Sequence, residues 1–266
     1  MTGMMEQSIT TAANATVVVA PDYRAEAAFL RRVPQMFAAG EGEVLHGGRN
    51  EVRLLTHRGA RFVAKRYKRA NPVQRVAYTF FRSTKAHRAY DYAAELRRRG
   101  ISTPHEVAYI ECREHGLFTT GYFVSLECPD PPAFDRLVRQ ERFDDGMAAD
   151  MARFVVTMHS RGVLHGDMNF GNFLYRRGEG GKGYEFTVID TNRSHFRDGW
   201  PSRGECLRNF CTMTHRRDVF AFIVRRYAAL RGWDEDAALA EAEACLDRFE
   251  SKHRRKDKMK RLFKGK

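Results

Sequence analysis

The stretch His165-Gly166-Asp167-Met168-Asn169-Phe170-Gly171-Asn172-Phe173-Leu174, followed fourteen positions later by Val188-Ile189-Asp190, decides how this chain reads. It sets two carboxylates and a carboxamide at a spacing suited to holding a hydroxyl nucleophile and a metal-bound polyphosphate. Asp167 is the candidate for orienting the hydroxyl. Asn172, five positions on, and Asp190, at the end of an apolar run, offer the hard oxygens that Mg²⁺ prefers.

The flanking segments give this stretch a setting. Upstream, residues 147–161 carry Met147, Met151, Phe154, Val155 and Met158 on one helical face, which reads as a core stripe. Downstream, 173–175 and 184–189 read as strands around a Gly-rich turn at 178–183, and helices are expected from about 205 to 249. A helix is also expected over 133–140, after an extended connection at 128–132 that holds three prolines. Nearer the N-terminus, runs at 43–46, 51–57, 61–67, 106–112 and 117–126 predict five antiparallel strands. Residues 23–35 predict a short helix that Pro34 disturbs. Residues 72–99 predict two helices, broken near Ser83-Thr84 and stopped at Gly100. The fold class is therefore α+β in two lobes: a mostly β lobe over 17–127 and a mainly helical one over 128–250, with the catalytic loop at 163–174. Residues 1–16 read as a mobile leader and 251–266 as a basic tail.

With 266 residues, 43% of them hydrophobic and 30% charged, the chain is long enough for a sizeable core and unlike a disordered one. Lys and Arg number 46 against 33 Asp and Glu, a net charge of +13 that favours anionic partners. The five cysteines form no C-x-x-C pair and have no histidine at zinc-finger spacing, so reduced thiols in a cytoplasmic setting are expected and no metal is assigned to them. The N-terminus has no signal-peptide pattern, and no window approaches the ~18 to 20 apolar residues of a membrane span. Any membrane association is expected to be peripheral.

Phosphoryl transfer also needs a cation for the α and β phosphates, and Lys65 in Phe62-Val63-Ala64-Lys65 matches the Lys of V-A-I-K. Asp167 and Asn172 fit the spacing of H-R-D-x-x-x-x-N, and the candidates follow in the same order. The ordered set resembles the protein kinase-like superfamily. Within it, residues 165–174 and Val188-Ile189-Asp190-Thr191-Asn192-Arg193 are similar to the Kdo/WaaP lipopolysaccharide kinase family, whose members show D-L-N-x-x-N and I-D-x-x-R. The resemblance extends through Lys65, Arg99-Gly100-Ile101-Ser102-Thr103-Pro104 and Tyr122-Phe123-Val124-Ser125-Leu126, covering most of 43–230. It implies a two-lobed kinase-like fold, ATP with Mg²⁺ as cofactors, and phosphorylation of a Kdo or heptose hydroxyl in the lipopolysaccharide inner core, with Kdo-lipid A or a related precursor as acceptor.

Several positions depart from kinase pattern. Asp91 aligns where a Glu pairs with the lysine, with Glu95 one turn on as the alternative. Gly48 remains in the turn over the nucleotide, but the full G-x-G-x-x-G is absent. Gly166 replaces the Arg of H-R-D, Thr191-Asn192 replace Phe-Gly, and no A-P-E follows, so control by activation-loop phosphorylation is not expected. Asn169 reads either as a ligand of the transferring phosphate or acceptor hydroxyl, or as a brace for its loop. Arg193 reads either as a receptor for an acidic group on the sugar or as a loop salt bridge. His165 reads as holding the loop backbone.

The last fifteen residues, KHRRKDKMKRLFKGK, hold nine Lys or Arg and one Asp, with Met259, Leu262 and Phe263 interleaved. Such a stretch suits an anionic inner-membrane surface better than nucleic acid. Two rival functions stand beside the sugar-kinase reading. One is a small-molecule kinase of the aminoglycoside or choline type, which shares H-G-D-x-x-x-x-N. The other is a catalytically silent kinase-like binding module.

Overall fold

In the computed structural model, which describes residues 8–12 and 14–264, the chain divides into one unit through Pro129 and another from Asp130. The first unit is built on β1 (Ser8–Ala12), β2 (Ala15–Val19), β3 (Glu43–His46), β4 (Glu51–His57), β5 (Ala60–Arg66), β6 (Glu106–Glu114) and β7 (Leu117–Leu126). They form one antiparallel sheet in the order β1-β2-β6-β7-β5-β4-β3. Seven strands thus replace the expected five. The first extra strand and the start of the second lie where a leader was expected over 1–16: Ser8–Ala12 pair with Ala15–Val19, and β2 continues onto β6 with Val17 opposite Ile110. Residues 1–7 and 13 of that leader lie outside the described residues.

The alternation in β2 explains why the sheet is covered on both faces. Val17 and Val19 pack with Phe29, Leu30, Val33 and Phe37 of α1 (Ala27–Arg31) and α2 (Val33–Ala39). Val18 and Ala20 pack with Ala86, Ala89 and Tyr90 on the opposite face. Pro34 does not end a helix here. It lies in the first turn of α2, where its missing N–H costs nothing, and the helix runs on to a left-handed cap at Gly40.

The break near Ser83-Thr84 separates α3 (Pro72–Phe80) from α4 (Lys85–Arg98). Asn71 and Gln74 close a capping box on α3, and the Thr84 hydroxyl accepts from the His87 N–H at 3.1 Å to start α4. Close approach of α4 to the sheet requires a glycine beneath it, since a Cβ on Gly121 would lie 2.9 Å from the Ala86 Cβ.

The second unit contains α5 (Asp145–Ser160), β8 (Val163–Leu164), β9 (Phe173–Arg177), β10 (Tyr184–Val188), β11 (His195–Phe196), α6 (Arg203–Asn209), α7 (Arg217–Leu230) and α8 (Glu235–Lys264). The helix expected over 133–140 is a single wide turn at Asp135–Arg139. On α5, Met147, Met151, Val155 and Met158 are fully buried, and each contributes on the order of 2 kcal/mol by leaving water. The strand pairs β9–β10 and β8–β11 lie on either side of the candidate loop, with Val188 opposite Phe173 and His195 opposite Leu164. The basic tail is helical: α8 is continuous through Lys264. Among the described residues no helix is long and apolar enough to cross a membrane, and all five cysteines are free.

Candidate active site

The candidate loop is held from both ends. His165 is fully buried and donates from Nε2 to the Ile189 carbonyl at 2.9 Å, while its Nδ1 is buried with no hydrogen-bond partner among the described residues. Burial pushes its pKa below the usual histidine value, so the ring is neutral and serves as a tie between two loops. The Asp167 N–H then reaches back to the His165 carbonyl at 2.6 Å, closing a tight turn centred on Gly166 at φ +62°. A Cβ at this glycine would strike the Arg193 carbonyl oxygen. The arginine of H-R-D is therefore excluded for two independent reasons: left-handed backbone and absent space.

Asn172 donates its side-chain amide to the Asp167 carbonyl at 3.0 Å, which fixes the orientation of its carboxamide. Its own backbone carbonyl accepts from the Ile189 N–H at 2.9 Å, so the segment leading into Asp190 is pinned to it. Asn169 caps the short turn Phe170–Asn172 by accepting from the Gly171 N–H at 2.8 Å. The Met168 N–H, buried with its side chain, is satisfied by the Thr212 hydroxyl at 2.8 Å. Thr212 lies 44 residues away and carried no sequence signal.

Asp190 follows β10 in left-handed backbone, φ +57° and ψ +47°, a conformation Asp tolerates better than most residues. Its Oδ1 accepts from the Asn192 amide at 2.6 Å. Thr191–Arg193 form one turn, with Thr191 and Asn192 buried. Arg193 emerges from it and donates from Nη1 to Asp167 Oδ2 at 3.0 Å, with the Asp167 side chain 28% exposed and the Arg193 side chain 64% exposed. The second unit thus gathers Asp167, Asn169, Asn172, Asp190 and Arg193 along two hydrogen-bonded loops.

Lys65, Asp91 and Gly48 belong to the first unit. Lys65 lies on β5, opposite Val52 on one side and Phe123 on the other, with its Nζ 5.5 Å from the Tyr67 ring centre. Asp91 on α4 receives His87 Nε2 at 3.1 Å, and this bond raises the His87 pKa. Glu95 is engaged by Arg98 and Arg99, both at 2.6 Å. Both carboxylates weighed as partners of Lys65 thus have basic neighbours on or beside their own helix. Gly48, at φ +132°, sits in the exposed turn between β3 and β4 with nothing near its Cβ position.

The donor set fits a hard cation. The candidate ligands Asn172 and Asp190 carry one amide oxygen and one carboxylate, and no group of three or more His, Cys, Asp or Glu side chains is gathered for a metal among the described residues. Mg²⁺ is commonly held in this way, by one or two protein oxygens with phosphates and water completing the octahedron.

A model of the family described as lipopolysaccharide kinase (Kdo/WaaP) matches residues 40–217. A solved structure of WaaP in complex with acyl carrier protein is similar at 19% identity and a TM-score of 0.55, over 87% of this chain and 98% of that one. The likeness shows a shared kinase-like fold. No curated protein matches the chain.

Proposed function

Since this chain belongs to the lipopolysaccharide kinase (Kdo/WaaP) family, we propose that it phosphorylates a sugar hydroxyl, of Kdo or heptose, in the lipopolysaccharide inner core, on Kdo-lipid A or a related precursor. The observation that carries this reading is the Asp167 carboxylate, held by Arg193 on one oxygen and fixed at its backbone by Asn172. ATP with Mg²⁺ supplies the transferable phosphoryl group. Asp167 accepts the hydrogen bond of the acceptor hydroxyl and holds its proton as the oxygen attacks. Asn172 and Asp190 provide the metal-facing oxygens, and Lys65 the cation for the α and β phosphates. Gly48, in its open turn, lets the backbone approach the nucleotide.

Arg193 has a place in this scheme. It spends one guanidinium donor on Asp167 and is otherwise open to solvent, so an acceptor carboxylate or phosphate beside the reacting hydroxyl suits it. Asn169 keeps its loop in register for Asp167. The reaction is set in the cytoplasm at the anionic inner-membrane face, with the basic end of α8 as an electrostatic attachment. The acyl carrier protein in complex with WaaP adds a carrier protein of this kind as a partner to assay.

One specific observation favours a second reading. Asp91 is bonded to His87, and the glycine loop is reduced to Gly48, as a silent nucleotide-binding module would allow. Radiolabelled ATP incubated with Kdo-lipid A, free sugars and aminoglycosides, beside Asp167→Asn, separates the readings. Label on Kdo-lipid A that disappears in the variant is the expected result. Label on aminoglycosides alone points to the small-molecule kinase, ATP binding without label to the silent module, and label surviving Asp167→Asn removes the role given to that carboxylate.

A further inference from the structure

Helix α3 is amphipathic the wrong way round for a helix of a folded core. Its polar side faces the sheet: the Phe118 N–H donates to Thr79 Oγ1 at 2.9 Å, Arg75 donates to the Glu114 carbonyl at 3.2 Å, and Tyr78 meets the Phe118 ring edge-on at 5.5 Å. Its apolar side faces solvent. Val73 is 79% exposed, Val76 43% and Phe80 67%, at positions i, i+3 and i+7 of one stripe, and Phe81 at the C-terminal cap is 78% exposed. No side chain of α3 is buried. Leaving two adjacent phenylalanines in water opposes the hydrophobic effect, and such ridges mark surfaces that are covered in use.

The charge around the ridge identifies the cover. From Lys68 to Arg88 the chain carries six Lys or Arg and no Asp or Glu. Lys68, Arg69 and Arg82 are exposed; Glu114 is engaged by Arg69, and the other two carboxylates bonded to this stretch, Glu111 and Asp91, meet Thr84 and His87 at the start of α4. A short helix with aromatic and aliphatic side chains on one face, bordered by basic ones, is the pattern that lies in a bilayer interface, with its apolar residues among the acyl boundaries and its cations on anionic headgroups. The exposed apolar stripe is bordered by cations of one sign, which suits an anionic lipid surface better than a protein partner of mixed charge. We propose that α3, through Val73, Val76, Phe80 and Phe81, is an interfacial anchor that inserts into anionic lipid bilayers. This goes beyond the kinase reading and holds whichever hydroxyl is phosphorylated.

The test is flotation of the full chain, without ATP, on phosphatidylcholine vesicles with and without phosphatidylglycerol. Wild type should partition onto the anionic vesicles, and Phe80→Ser combined with Phe81→Ser should weaken that partition roughly tenfold while leaving the circular dichroism spectrum and melting temperature in place. A second readout does not depend on removing the ridge: the indole of Phe81→Trp should shift to the blue on anionic vesicles and be quenched by brominated acyl chains. Unchanged partition of the double variant, or an indole that brominated lipid does not quench, overturns the anchor. Loss of binding to an acidic protein with vesicle binding intact overturns it in favour of a protein interface. A chain that docks as described but labels no acceptor removes the kinase reading and leaves the anchor standing.

Discussion

Gly166 shows at the level of one residue how this site differs from a protein kinase. Its φ of +62° and the Arg193 carbonyl facing it leave no room for a side chain, so Gly166→Ala should disturb the turn that presents Asp167. The left-handed backbone alone costs an alanine about 1–2 kcal/mol. We expect a lower melting temperature and a kcat reduced roughly tenfold or more, because small displacements of a catalytic group are expensive. Arg193→Ala should behave differently. The pair with Asp167 is open to water on its Arg193 side and is worth about 1 kcal/mol or less, so the melting temperature should hold. Steady-state kinetics should instead show a raised KM for an anionic acceptor with the KM for ATP unchanged, and Arg193→Lys should restore little of it, since a lysine lacks the planar fork. Asp167, Asn172 and Asp190 stand out as candidates because the chemistry proposed for them is written in residue type and spacing. The tie from Thr212 to the Met168 N–H does not, because a hydroxyl meeting a backbone group 44 residues away leaves no local pattern.

Between elements, the packing of α5 on α7 contains a polar joint that its apolar stripe did not announce. His159 on α5 is fully buried, with Nδ1 accepting from the Tyr227 hydroxyl on α7 at 2.8 Å and Nε2 donating to Asn209 Oδ1 at 3.1 Å. The Tyr227 oxygen in turn accepts from Arg231 at 2.8 Å. This circuit works only with a neutral ring, and burial pushes the His159 pKa down to about 4 from the usual 6.5. The unfolded chain therefore takes up the proton first as the solution is acidified. Stability from this group is complete above pH 6.5 and is lost as the pH falls toward 4, by on the order of 3 kcal/mol. His165 acts in the same direction. Urea unfolding of wild type and His159→Gln across this range should give a flatter pH dependence in the variant, together with lower stability at neutral pH. Parallel curves would remove His159 as a source of the acid sensitivity. Other elements were legible to different degrees. The break at Thr84 was marked by its own cap chemistry, whereas the hairpin β1–β2 was hidden because Ser8–Ala12 is a short polar run that only pairing turns into a strand.

For the whole molecule the dominant quantity is the charge of +13, and the end of α8 concentrates it. The fold class was legible because the order of strands, hinge and helices accompanied the catalytic loop; the helical state of the tail was not, since residues 252–266 have the composition of a solvated terminus. Among the described residues the last fully buried side chain of α8 is Leu246, and Glu250 still pairs with His215 and Arg217. Beyond it, Lys252, Arg254, Arg255 and Lys256 stand in solvent. Removing residues 252–266 deletes nine Lys or Arg. The truncated chain should melt within a few degrees of the full one, and its ATP affinity should be unchanged. Attachment to anionic vesicles should weaken, since each basic residue near such a surface contributes up to ~1 kcal/mol. Salt separates this contribution from that of α3. Screening over a Debye length of ~8 Å removes an electrostatic attachment but not the burial of phenylalanine. In flotation assays the difference between full and truncated chains should vanish as ionic strength rises, while the loss caused by Phe80→Ser with Phe81→Ser should persist. A truncation without effect at low salt would leave α8 no role at the membrane.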